Sequence, residues 1–460
     1  MSDGIKVAII GGGAFRTPRL LYGLIRHSAS LRINQIDLYD PDAERLDSMV
    51  KLCRHISERL GAQIRLNARQ SLASTCRDAE FVLLTYRVGG EVGRAYDERV
   101  ALDHGVLGQE TVGPGGFFMA LRSLPVTVEY IDQIRNVAPD AWIINFTNPA
   151  GIVTEAVTRI GERRFVGVCD TPYHLQIEIA EFLQVKADQI RVESVGLNHL
   201  GWFQRVWHNG IDQLPALIAR ADELAQDIRP LSFFSPDYLR QIGVLPTEYV
   251  YFYLHSQDVA TRIREQKSRG ELILDQAQTF FPRLRNLIRA GEVEQAWEDY
   301  GRTITNRSNS YLATETDSHF PRGLNPESLF ASEGYEGVAI RVMEGVTGIA
   351  ERTAILNTPS YGVLPGLDVS AVIECTCYVD RQGITPLALT RAIPTDCLDL
   401  IQKTKRFEVL TIAAARSHQM DDAVVALAAN PILGGDQELA LRIIQERTRR
   451  QGSPELVGTK

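Results

Sequence analysis

Cysteine is scarce in this chain: six residues in 460 (Cys53, Cys76, Cys169, Cys375, Cys377 and Cys397), with no paired CxxC spacing. That excludes a disulfide scaffold and a structural zinc knuckle, and it fits a reducing compartment. Long apolar runs are missing too. The opening run Ile5–Ile10 is short and interrupted by Lys6, too brief for a signal-peptide core, and no stretch is long enough to span a bilayer. The expected location is therefore cytoplasmic, with no membrane partner. Blocks of like charge are absent, and the balance of 57 acidic against 49 basic residues leaves a formal net charge of −8. Such a surface has nothing to grip a phosphodiester backbone, so no nucleic acid is expected. Internal repeats and low-complexity tracts are lacking as well.

What remains is an ordinary globular composition, 44% hydrophobic and 23% charged. The length exceeds what one core usually supports, so two domains are expected. The first half alternates short apolar runs (6–10, 35–39, 81–85, 142–146, 164–167) with amphipathic stretches such as 43–60 and 124–137. That rhythm predicts an α/β fold, a Rossmann-type doubly wound parallel sheet. Near residue 195 the pattern changes to mixed strands, then helical stretches over 215–284 and a turn-rich region over 306–365. An apolar strand at 370–377, a turn at Asp380–Gly383 and a helical tail over 398–427 complete the chain. We expect a dinucleotide-binding domain over 1–195 and an α+β domain over 196–460.

Two places carry candidate chemistry. Gly11-Gly12-Gly13-Ala14-Phe15 follows an apolar strand and precedes an amphipathic stretch, the setting in which glycines let backbone amides approach a pyrophosphate at a helix N-terminus. Asp40 closes the next apolar run, where a carboxylate takes ribose hydroxyls and favours NAD over NADP. Gly11, Gly13, Ala14, Phe15 and Asp40 are thus candidate NAD contacts; the third glycine of the usual fingerprint is replaced by Arg16. The plainer alternative is a tight turn with glycine for geometry alone. Beyond later strand ends stand Cys169 and His199. A soft thiolate and an imidazole can bind a divalent metal and leave positions open for substrate oxygens, although each alone reads more simply as a buried residue.

Several strings in order, Gly11–Gly13, Arg87–Gly90 with Arg94 and Asp97-Glu98, Gly108–Gly116, Asn145–Ala150, the Cys169 segment and Gly196–His199, resemble glycoside hydrolase family 4. The resemblance implies a C-terminal domain of the lactate dehydrogenase C-terminal type that binds substrate and metal and forms a homodimer or homotetramer. It also implies bound NAD and a divalent metal, usually manganese, ligated by Cys169 and His199. Enzymes of this family stand outside the two-carboxylate rule of glycoside hydrolysis. The implied route oxidises sugar C3, removes the C2 proton, eliminates the aglycone, adds water and returns the hydride.

In the same resemblance Tyr249 matches the base, and Asp170 matches the acid of α-specific members. Arg94 and Asn148 match sugar-binding positions, and Arg269 a phosphate-binding one. The implied substrate is a 6-phospho-glucoside. Asp170 pulls toward the α anomer and Gly383–Leu387 toward the β anomer, and the reading leans to β. Arg16, standing where phosphoglycosidases have an uncharged residue, leaves open a non-phosphorylated or acidic sugar. A different class, an NAD-dependent 2-hydroxy acid dehydrogenase of the lactate or malate type, shares the nucleotide domain but has no use for Cys169. A non-catalytic nucleotide sensor is the third alternative.

Overall fold

The computed structural model describes residues 4–316, 325, 330 and 334–451. Part of the expected turn-rich region, 317–324, 326–329 and 331–333, lies outside the described residues.

Among the described residues thirteen strands form one sheet. They are β1 (Ile5–Ile10), β2 (Ile33–Tyr39), β3 (Arg65–Ala68), β4 (Phe81–Leu84), β5 (Trp142–Asn145), β6 (Phe165–Val168), β7 (Ile190–Leu197), β8 (Leu200–His208), β9 (Ile211–Asp212), β10 (Leu245–Pro246), β11 (Arg352–Pro359), β12 (Val372–Asp380) and β13 (Gly383–Pro386). The first six are parallel in the order β3-β2-β1-β4-β5-β6, the doubly wound order. In a strand covered on both faces continuous apolar side chains are required, and Val7, Ala8 and Ile9 are fully buried. Lys6 is tolerated in that run because its ammonium pairs with buried Asp37 at 3.0 Å.

The sheet does not stop at β6. It continues antiparallel through β11 and β12 into the β7-β8 hairpin, with β13 beside β12. The boundary expected near residue 195 falls inside β7, where the sheet is unbroken. Strand β3 was not expected: Arg-Leu-Asn-Ala at a sheet edge carries too little apolar alternation to be read. Nor were the helix Tyr335–Thr347 and β11, both inside the region read as turn-rich. The helical tail is two helices, Thr395–Ser417 and Met420–Ala428, because His418 adopts a left-handed conformation (φ 56°) that ends the first.

The helix expected over 124–137 starts earlier, at Pro114. Its first turn, Pro114-Gly115-Gly116, looks like a turn in sequence. Here the glycines serve close approach: a Cβ on Gly115 would lie 2.1 Å from the Gln109 carbonyl oxygen, and one on Gly116 2.2 Å from that of Thr111. The loop 109–111 is thereby pressed against the helix and under the cavity described next.

Candidate active site

The crevice at the carboxyl ends of β1 and β4, where the strand order reverses, opens into a cavity of about 320 Å³. Its nucleotide side is the glycine turn. Gly11 has φ 96°, and a Cβ there would meet the Tyr86 backbone nitrogen at 2.6 Å. The Gly11 and Gly12 amides both donate to the Tyr39 carbonyl at 2.8 Å, and the Gly13 amide to Asp40 Oδ2 at 2.9 Å. Gly13 has no room for a side chain against that carboxylate. Ala14, Phe15 and Asp40 line the cavity; Gly11 and Gly13 form the turn without lining it. The Phe15 ring packs among Phe280, Phe281 and Tyr300, so its contribution to a ligand is through its amide, which has no intrachain acceptor among the described residues. Burial raises the Asp40 carboxyl, against the hydrogen bonds from the Asp42 and Gly13 amides.

At the other wall the β7-β8 hairpin turns through Asn198 and His199, with His199 left-handed at φ 61°. A non-glycine residue held there is uncommon and marks a position fixed by its surroundings. The imidazole stacks on the Tyr249 ring, centroids 3.9 Å apart and planes within 9°. Its Nδ1 hydrogen-bonds the Thr111 hydroxyl, which leaves Nε2 available. Burial pushes His199 down to about 4, opposed by Glu110 and Asp170, so the ring is neutral at pH 7 and able to ligate a metal.

Cys169, directly after β6, is buried and does not line the cavity. Burial, then the charges of Glu374 and Asp170, push its thiol well up. Among the described residues no group of three or more His, Cys, Asp and Glu side chains forms a metal site by itself. A thiol and a neutral imidazole nonetheless suit a soft to borderline divalent ion whose other positions belong to water or substrate.

Asp170 and Tyr249 both line the cavity. Asp170 Oδ2 lies 3.5 Å from His174 Nε2 and 3.7 Å from an Arg16 nitrogen. Burial disfavours its charge, but His174 and Arg16 outweigh burial and hold it ionised, well below the usual carboxylate range. Tyr249 is pushed the other way: burial and then Glu248 raise its phenol well above 10. The Tyr311 hydroxyl sits 2.7 Å from the Tyr249 hydroxyl and donates to Glu248 Oε1 at 2.9 Å. A phenol, a second phenol and a carboxylate thus stand in a row.

Arg94, Asn148 and Arg269 also line the cavity. Arg94 is buried and committed to carboxylates, Nε to Glu98 and Nη1 to Glu110, each at 2.7 Å. Glu110 is held ionised by Arg87 and Arg94 against burial. Arg269 points its donors at main chain: Nη1 to Ser310 and Nη2 to the Arg307 carbonyl at 2.6 Å. Sequence reading missed Thr111, Glu110, Glu248, Tyr311 and Arg307. Glu110 and Thr111 lie inside the string Gly108–Gly116 and Glu248 adjoins Tyr249, so these three were within reach of it. Tyr311 and Arg307 belong to no motif, and only the packing of the helix Val293–Asn309 brings them here.

Residues 6–185 match the profile of the Family 4 glycosyl hydrolase and residues 194–433 that of the Family 4 glycosyl hydrolase C-terminal domain. The chain is 29% identical over 450 residues to 6-phospho-beta-glucosidase of Escherichia coli K12, covering 96% of this chain and 94% of that one. It is 26% identical over 456 residues to 6-phospho-alpha-glucosidase 1 of Lacticaseibacillus paracasei, covering 96% of each. Structures of the 6-phospho-beta glucosidase from Thermotoga maritima superpose with a TM-score of 0.80 at 26% identity over 97% of this chain and 98 to 99% of that one. One holds NAD and glucose-6-phosphate, another manganese as well. The chain belongs to the family 4 glycosyl hydrolases.

Proposed function

We propose that this enzyme hydrolyses glucosides phosphorylated on C6, with NAD and a divalent metal such as manganese, and with a preference for the β anomer. The observation that carries the reading is the His199 ring stacked on Tyr249 in a cavity that also receives the glycine turn and a set of guanidinium groups. The relatives' names and the ligands of the Thermotoga structures support it. NAD fits the turn: Gly11 and Gly13 leave no space for side chains, Asp40 faces the cavity, and the Phe15 amide is open. A metal fits Cys169 and His199 in donor type. When bound, these groups supply a reversible hydride acceptor for sugar C3 and charge stabilisation beside the resulting carbonyl.

The chain's own residues do the rest. Tyr249 takes the proton from C2. In the ligand-free site its phenol is protonated, and the Tyr311 hydroxyl gives that proton a path to Glu248. Asn148 and Arg94 contact the sugar, and Arg94 is kept in place by Glu98 and Glu110. Asp170 stands where α-specific members carry their proton donor. The β preference is supported by the Gly383–Leu387 string and by the 6-phospho-beta-glucosidase relatives. In this reading residues 1–195 supply the nucleotide turn and residues 196–460 the base, the His199 ligand and the contacts of a homodimer or homotetramer. The six free cysteines suit a reducing cytoplasm.

The test is turnover of p-nitrophenyl glucoside 6-phosphates, both anomers, against unphosphorylated glucosides and galacturonides, with NAD and manganese added or omitted. Cleavage of the β-linked 6-phosphate only when both are present is expected. Equal cleavage of unphosphorylated glucoside, or of galacturonide in preference, would reject the phosphate, and α preference would reverse the anomer.

A further inference from the structure

Seven guanidinium groups line the cavity: Arg16, Arg19, Arg45, Arg87, Arg94, Arg269 and Arg307. Six have partners. Arg94 is held by Glu98 and Glu110, Arg87 pairs with Glu110 at 2.6 Å, and Arg16 lies 3.7 Å from Asp170. Arg19 pairs with Glu336 and Arg45 with Glu91. Arg269 is committed to main-chain carbonyls and the Ser310 hydroxyl. Arg307 is different. It sits in the last turn of the helix Val293–Asn309, half-buried, its guanidinium 5.0 Å from the centroid of the Phe15 ring. Among the described residues it has no ion pair and donates no hydrogen bond. Glu91 is one carboxylate that feels it, and Glu91 also faces Arg45 and Arg87.

A guanidinium does not give up its proton near neutral pH, so a charge placed this way is relieved by an anion, not by titration. Burial, and then repulsion from Arg16, Arg269, Arg87 and Arg94, all disfavour the charged form of Arg307. The group best placed to remove that strain is a ligand oxyanion entering the cavity. The planar fork of an arginine matches phosphate and carboxylate oxygens alike.

We infer that Arg307 receives the anionic substituent of the sugar, and that Arg269 acts as a positioning residue. Arg269 Nη2 bonds the Arg307 carbonyl and its Nη1 bonds Ser310, which fixes the end of the helix and with it the direction of Arg307. The same guanidinium lies 6.0 Å from the Tyr311 ring centroid, next to the Tyr249 hydroxyl, so the receptor is tied to the reacting end of the cavity. This inference rests on the proposed action on an anionic sugar. It deepens that reading by moving the anion contact from Arg269, where the family resemblance places it, to a residue in none of the motifs.

The experiment is calorimetric titration of the full chain, with NAD present, using glucose 6-phosphate, glucuronate and glucose, and separately with NAD itself. Wild type is compared with Arg307→Gln and Arg307→Lys. Wild type should prefer one anionic sugar over glucose. Arg307→Gln should weaken that sugar by about 10- to 100-fold, the range for a charged hydrogen bond, with Arg307→Lys between the two. Glucose and NAD should bind within about twofold of wild type, which also reports that the variant is folded. Unchanged anionic-sugar binding in Arg307→Gln overturns the inference, as does a loss confined to NAD or a wild type indifferent to sugar charge. A preference for glucuronate that Arg307→Gln abolishes keeps Arg307 as receptor and rejects the phosphate reading. Cleavage of a glucoside 6-phosphate with a silent Arg307→Gln does the reverse.

Discussion

Replacing Glu374 by Gln should stabilise the protein, and increasingly so as pH rises. Glu374 is buried on β12 and accepts hydrogen bonds at Oε1 from Asn198 at 3.0 Å and Asn357 at 2.8 Å. Burial raises its pKa from 4.5 to about 7, because two amide donors do not replace the water a carboxylate loses. The folded state thus holds its proton more tightly than the unfolded chain. The stability contributed by the neutral carboxyl is complete below pH 4.5 and is lost as pH rises through 7. The difference between 4.5 and about 7 corresponds to about 3 kcal/mol in full, and about 2 kcal/mol of it falls between about pH 5.5 and about pH 8. Gln keeps the Oε1 acceptor and cannot ionise. Urea unfolding of wild type and Glu374→Gln at those two pH values should show the variant's advantage growing by about 2 kcal/mol. An advantage that is flat with pH would refute the reasoning.

Two substitutions probe the site more directly. Tyr311→Phe breaks the row from Tyr249 to Glu248 and should lower kcat by about 10- to 100-fold with KM within about twofold, read from steady-state kinetics; a change confined to KM would assign Tyr311 to substrate binding. Thr111→Val removes the partner of His199 Nδ1 and should weaken manganese by about 10- to 100-fold in a metal titration, while unaltered affinity would mean that the hairpin alone orients the ring.

The doubly wound half was legible because its strands are buried on both faces, and runs such as Val7-Ala8-Ile9 announce themselves. The continuation through β11 was not, because a strand reading Arg-Thr-Ala-Ile-Leu-Asn-Thr-Pro, flanked by glycines and prolines, looks like loop until it is set beside β6 and β12. In the site, the glycine turn, Asp40, His199, Tyr249 and Asp170 were reachable because each follows a strand or sits in a short motif. Their electrical states were not. Asp170 is ionised through His174, one helical turn on, and through Arg16, which is remote in sequence. Tyr249 is kept protonated by burial and by its neighbour Glu248. Arg307 is invisible to motif reading because its place depends on how one helix end is tied down by Arg269.

The central claim is that glycosidic cleavage here passes through loss of the sugar's C2 proton to Tyr249. Hydrolysis of a glucoside 6-phosphate in deuterated water, followed by mass and NMR analysis of the released sugar, tests it most directly. The account predicts solvent deuterium at C2, dependent on NAD and absent with Tyr249→Phe. Released sugar with its original C2 hydrogen, or cleavage that continues without NAD, would contradict it.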